Sequence, residues 1–254
     1  MHGFFSQPEI RNSLEAELLQ LLEQSHSRRL GIYFENLWAF AFQHHPDYRL
    51  LARNLPIRVG GKTLSELDFV VEHIPDRATE HWELAVKFYL QVGGYWVGPG
   101  LRDRLDIKLA RMAEHQLPVA FSAEATATLH QRGIRLDRQW ALMPGRLFSP
   151  LESEPSPAPG YWWADSAQFL RHFTESACRW LHLPKQSWLA PCGLAGSSPA
   201  PLTLDAITAE SLRDQLDRRG PLCVAGIADS GEASRGFLVP GDWRQRATRS
   251  LPAE

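Results

Sequence analysis

The sequence predicts an α/β fold with a smaller α+β extension at its carboxy-terminal end, and three observations carry the prediction. Apolar residues recur at helical spacing over residues 9–25, and an almost continuous apolar helix follows over 30–42. The period then shortens to two in three successive segments, Leu55–Val59, Glu66–Val71 and His81–Leu90. Helical spacing returns between Leu101 and Met112, ahead of one more strand around Trp140–Leu147. The chain has 254 residues, 44% hydrophobic and 22% charged, enough to bury a substantial core.

In the first helix, Leu14, Leu18, Leu21 and Leu22 share a stripe while Glu15, Glu17 and Glu23 occupy other faces. The segment LGIYFENLWAFAF, from Leu30 to Phe42, stops before His44, His45 and Pro46 and is expected to be largely buried. Leu55, Ile57 and Val59 alternate up to Gly60-Gly61, which supplies a turn, so two antiparallel strands follow. The run HWELAVKFYL, beginning at His81, is expected as a third strand with Trp82, Leu84, Val86, Phe88 and Leu90 on its core face, which completes a meander. Leu101, Leu105, Leu109 and Met112 then mark an amphipathic helix.

Two stretches are dense in chain breakers: SPLESEPSPAPG over 149–160 and PCGLAGSSPAP over 191–201. The first divides the chain into an α/β domain at 1–148, a Pro-rich linker or loop at 149–160, and a Trp-rich extension at 161–254.

Several function classes are disfavoured. A net charge of -2 carries no global signal for nucleic acid or an anionic membrane, so any such surface is local. Cys178, Cys192 and Cys223 are odd in number and widely spaced, which argues against a disulfide framework or structural zinc and fits a reducing cytoplasm. No signal peptide and no membrane-spanning run is expected. GxSxG, Walker and GxGxxG motifs are absent.

Strand parity gives the candidate site. Side chains two apart share a face, so Glu83, Ala85, Lys87 and Tyr89 stand opposite the apolar set of their strand, and Glu66 and Asp68 share a face of theirs. In a hairpin, Asp68, Glu83 and Lys87 converge as two carboxylates and an ammonium, a set able to hold a divalent cation and stabilise developing negative charge. The plainer alternative is a solvated face with a cross-strand Glu–Lys pair. Glu35 is the only acid between Glu23 and Asp47, in an apolar helix. It stands at the rim of that site, or exposed end-on, or in a pair with Arg28 or Arg29. Arg104, Lys108 and Arg111 form a basic stripe suited to phosphates, or a solvated helix face neutralised by Asp103, Asp106 and Glu114.

This order of elements, with Glu35, Asp68, Glu83 and Lys87 so placed, resembles the PD-(D/E)xK nuclease superfamily. The segments LGIYFENLWAF, GKTLSELDFVV, HWELAVKFYL and VGPGLRDRLDIKLARM resemble more closely the bacterial family catalogued as domain of unknown function number 1853. The resemblance implies a metal-dependent phosphodiesterase acting on DNA or RNA. Carried over by position, Asp68 would hold Mg²⁺ or Mn²⁺ and Lys87 would position the attacking water, while the residues themselves add Glu83 and Glu35 as further ligands and Arg104, Lys108 and Arg111 as contacts to nucleic acid. The departure is Ala85, which stands where the superfamily usually has Asp or Glu, two residues before the lysine. Either Glu83 takes over as ligand, or the fold serves as a nucleic-acid-binding or protein-interaction module, in which Trp162, Trp163, Trp180 and Trp188 build a partner surface unless, as the plainer reading has it, they are buried.

Overall fold

A computed structural model describes residues 1–25, 27, 29–151, 160–173, 175–191 and 209–252. Helices α1 (His2–Phe5), α2 (Pro8–Gln24) and α3 (Leu30–His44) come first, followed by strands β1 (Tyr48–Val59), β2 (Lys62–His73), β3 (Ala78–Leu84), β4 (Lys87–Val92) and β5 (Tyr95–Val97). Next are α4 (Leu105–Arg111), a π-turn (Met112–Gln116), α5 (Leu117–Val119), α6 (Ala123–His130), β6 (Arg138–Leu142) and β7 (Gly145–Pro150). The chain continues with β8 (Tyr161–Asp165), α7 (Ser166–Phe173), β9 (Arg179–His182), α8 (Ala209–Arg219), β10 (Leu222–Ala228), β11 (Gly231–Val239) and α9 (Trp243–Arg249). The mixed α/β class is as expected. Among the described residues no helix is long and apolar enough to cross a membrane.

The chain forms two compact units, residues 1–86 with 109–144, and residues 87–108 with 145–254. Segments 87–108 and 145–148, expected with the amino-terminal domain, therefore group with the second unit. Most of the Pro-rich stretch expected at 149–160 lies outside the described residues, as does nearly all of 191–201 and with it Cys192.

In the first unit, four strands run in the order β1-β2-β3-β6. The β1–β2 hairpin turns at Gly60 and Gly61, with φ of 55° and 81°, a left-handed pair that glycine adopts at little cost. Helix α3 buries Leu30, Phe34, Ala39, Phe40 and Phe42, as its apolar sequence requires. A second cluster packs Leu55, Ile57, Leu67 and Val70 with Ala120, Ala125 and Leu129.

In the second unit, seven strands run in the order β5-β4-β7-β8-β11-β10-β9. Its core gathers Trp162, Phe169, Trp180, Leu212, Leu216, Val224 and Leu238. Trp162, Trp163 and Trp180 are buried, so these tryptophans build the core rather than a partner surface.

Candidate functional site

The third strand expected over His81–Leu90 is two strands. β3 ends at Leu84 and belongs to the four-stranded sheet, while β4 starts at Lys87 and belongs to the seven-stranded one. The intervening Ala85 donates its N–H to Leu142 O at 2.9 Å. Parity counted along one strand therefore does not connect Glu83 to Lys87, and each is described within its own unit.

Parity does hold inside the first unit. β2 and β3 pair antiparallel with Phe69 opposite Trp82 and Val70 opposite His81, and residues directly opposite share a face. Phe69 and Trp82 face α3, with Phe42 5.4 Å from Phe69 and Trp38 stacked 5.6 Å from Trp82 between ring centroids. Asp68, His81 and Glu83 thus stand on the other face. Asp68 Oδ2 accepts the Leu84 N–H at 2.8 Å. Glu83, only 3% exposed, accepts a hydrogen bond from Gln116 Nε2.

His81 is fully buried, and its Nε2 lies 3.8 Å from a Glu83 oxygen. Neither ring nitrogen has a hydrogen-bond partner among the described residues, and neither does Oε1 of Gln139, the residue opposite His81 on β6. Burial pushes the imidazole down to about 4. At neutral pH it is an uncharged neighbour of Glu83 rather than an ion-pair partner.

Glu35 is not at the rim of this group. Its carboxylate is 3.8 Å from Arg53, which also donates to Asn36 Oδ1 at 2.6 Å and lies over the Phe69 ring at 5.8 Å. Arg53 is opposite Phe69 in the β1–β2 ladder, so Glu35 is tied to the α3 face of the sheet, away from Asp68 and Glu83. The acid in the apolar helix found its partner on β1 instead of Arg29, and Arg28 lies outside the described residues.

Among the described residues, no three His, Cys, Asp or Glu side chains form a group that could hold a metal ion. The expected set of Asp68, Glu83 and Glu35 supplies two engaged carboxylates on one face and a third on the other. These residues do not fit a resident Mg²⁺ or Mn²⁺.

In the second unit, Lys87 Nζ pairs with Asp103, and Tyr89 donates its hydroxyl to the same carboxylate at 3.3 Å. Burial first, and the Asp103 charge second, raise the Tyr89 hydroxyl above its ordinary value. Asp103 is delivered by a tight loop in which Gly98 donates to Asp103 O at 2.7 Å and Leu101 donates to Gly98 O at 2.9 Å. Leu101 has φ of 61°, a left-handed conformation that costs a non-glycine residue about 1–2 kcal/mol. Trp243 Nε1 fastens the loop by donating to Pro99 O at 2.7 Å. Sequence reasoning placed Asp103 only among acids neutralising a helix, because its pairing depends on this loop.

The expected basic stripe is reduced. Arg104 precedes α4, and its guanidinium is held by Asp106 at 2.6 and 3.0 Å and lies over Tyr95 at 5.0 Å. Lys108 and Arg111 remain on α4, half-buried and exposed respectively. The apolar stripe meant to seat this helix also differs, since Leu101 lies outside it and Leu109 is 47% exposed. A basic element not foreseen is α9, where Arg244, Arg246 and Arg249 are exposed and the helix itself contains no acid. Trp243 and Ala247 anchor its inner side, and Arg244 lies over the Trp163 ring at 4.9 Å. The signal was in the sequence as WRQRATR, three arginines in seven residues.

The family described as domain of unknown function (DUF1853) matches residues 10–239, and the chain belongs to that family. No curated protein and no solved structure matches the chain.

Proposed function

We propose that this member of the DUF1853 family binds DNA or RNA on a PD-(D/E)xK nuclease-like scaffold without hydrolysing it. The support for the scaffold is helix α3 followed by the antiparallel strands β1, β2 and β3, with helix α4 and strand β6 coming later in the chain, after β4 and β5. The reading against hydrolysis rests on the chain's own donors. Ala85 stands in the usual acidic place, Glu83 is buried against Gln116, Asp68 is bonded to Leu84, and Lys87 is paired with Asp103. The observation that carries nucleic-acid binding is α9, where exposed Arg244 and Arg249, beside Arg246 paired with Asp242, form a local cationic surface on a chain of net charge -2.

The test incubates the purified chain with single-stranded, double-stranded and branched DNA and RNA, with and without Mg²⁺ or Mn²⁺. Binding is followed by fluorescence anisotropy and cleavage by gel. Salt-sensitive binding with no cleavage of any substrate is expected. Metal-dependent cleavage abolished by Asp68→Ala would overturn the non-hydrolytic reading in favour of a phosphodiesterase. Absence of binding to every substrate would overturn the nucleic-acid reading altogether.

A further inference from the structure

A cleft of about 550 Å³ opens in the second unit, within the size range of small-ligand sites. Three pairs of Pro and Gly from separate parts of the chain edge it: Pro99-Gly100, Gly220-Pro221 and Pro240-Gly241. Gly220, with φ of 77°, is glycine for conformational reasons. Gly100 and Gly241 are not. Neither has a positive φ, and a Cβ built on either would meet no atom of the chain within 4 Å. A side chain at either position would stand in open space at the edge of the cleft.

The cleft's charged groups come in two sets. Arg213 on α8 and Arg246 on α9 bring guanidinium groups, and Asp217 and Asp242 bring carboxylates. Arg246 is 3.7 Å from Asp242, and Arg213 and Asp217 are one helical turn apart. A ligand that satisfies both sets needs an anionic group for the arginines and hydroxyl donors for the carboxylates. Guanidinium forks match phosphate oxygens, and carboxylates accept from ribose hydroxyls. The Trp243 indole is fixed at the cleft by its bond to Pro99 O, and it keeps the α9 side of the wall rigid.

From these features we infer that the cleft is a binding site for a nucleoside monophosphate, free or as the phosphorylated end of a strand. The ligand class is suggested by the nucleic-acid reading above, but the site stands on its own residues and is tested with free nucleotides. Calorimetry on the full chain compares AMP and UMP with adenosine and inorganic phosphate. The monophosphates bind at least about tenfold more tightly than either fragment, because only the intact nucleotide contacts both the arginines and the carboxylates. Arg213→Gln removes a phosphate donor and weakens AMP binding about tenfold. Gly241→Val fills the cleft, where its side chain meets nothing else, and weakens AMP binding without changing Tm. AMP heat that is absent at millimolar concentration, or unchanged in both variants, overturns the site. Either result leaves the oligonucleotide binding test unaffected, so the two readings fail separately.

Discussion

The imidazole of His81 lies 3.8 Å from the carboxylate of Glu83, with the first fully buried and the second 3% exposed. This relationship has a pH signature. Burial lowers the imidazole from its ordinary 6.5 to about 4, so between these values the unfolded chain binds a proton that the folded chain does not. Stability therefore falls as pH drops from about 6.5 to about 4 and is unaffected by this group below that. The interval corresponds to on the order of 3 kcal/mol. In urea unfolding at pH 7 and pH 4.5, the wild type should lose a large part of that amount and His81→Gln correspondingly less. Equal losses in the two proteins would show that His81 is not the group responsible.

A backbone approach in the second unit gives a steric prediction. A Cβ at Gly145 would stand 1.6 Å from the Lys87 carbonyl oxygen, which belongs to the main chain and cannot swing aside. Gly145→Ala must push β7 from β4, where Gly145 is opposite Lys87, at an expected cost of about 3 kcal/mol. Gly94→Ala is the matched control, because nothing lies within 4 Å of its Cβ and its φ is not positive. Its midpoint in denaturant should move by less than about 0.5 kcal/mol.

The sequence showed most where structure is set locally. The hairpin followed from Gly60-Gly61 between alternating runs, and Asp68 and Glu83 share a sheet face because β2 and β3 are regular there. The break after Leu84 was not legible, since Ala85 and Val86 continue the alternation without interruption. It arises from parallel partners far along the chain, β6 for β3 and β7 for β4. A clue did exist on the partner side. Met143-Pro144-Gly145 carries two strand breakers inside the single strand expected near Trp140–Leu147, and the chain divides there into β6 and β7. Glu35 was misplaced for a related reason, because helical spacing cannot reveal that Arg53 on β1 reaches back to it.

The Lys87–Asp103 pair should contribute little to stability despite its close geometry. Both side chains are about one-third exposed, and pairs open to solvent give on the order of 0.2–1 kcal/mol. A double-mutant cycle of Lys87→Met and Asp103→Asn, read by urea unfolding, should return a coupling below about 1 kcal/mol. It should also leave oligonucleotide affinity unchanged. A large loss of binding in Lys87→Met would place this lysine in contact with nucleic acid.

The cationic face of α9 makes a prediction that separates phosphate contact from general folding effects. Arg244 and Arg249 are exposed, and no residue of the helix is acidic, so their replacement by Gln removes charge without opening the Trp243 and Ala247 anchor. Each phosphate contact releases condensed counterions and adds about 0.9 to the slope of log affinity against log salt on duplex DNA. The double variant should therefore bind all sequences more weakly by a similar factor, with a slope shallower by about 2 and a stability lowered only by the lost Arg244–Trp163 contact, about 0.5–1 kcal/mol. Measured between 50 and 200 mM salt, where such slopes are readily resolved, the wild-type and variant lines should converge as salt rises. Parallel lines would mean that the two arginines act on the fold or on a partner other than phosphate, and the binding surface would then have to be sought elsewhere, starting with Lys108 and Arg111 on α4.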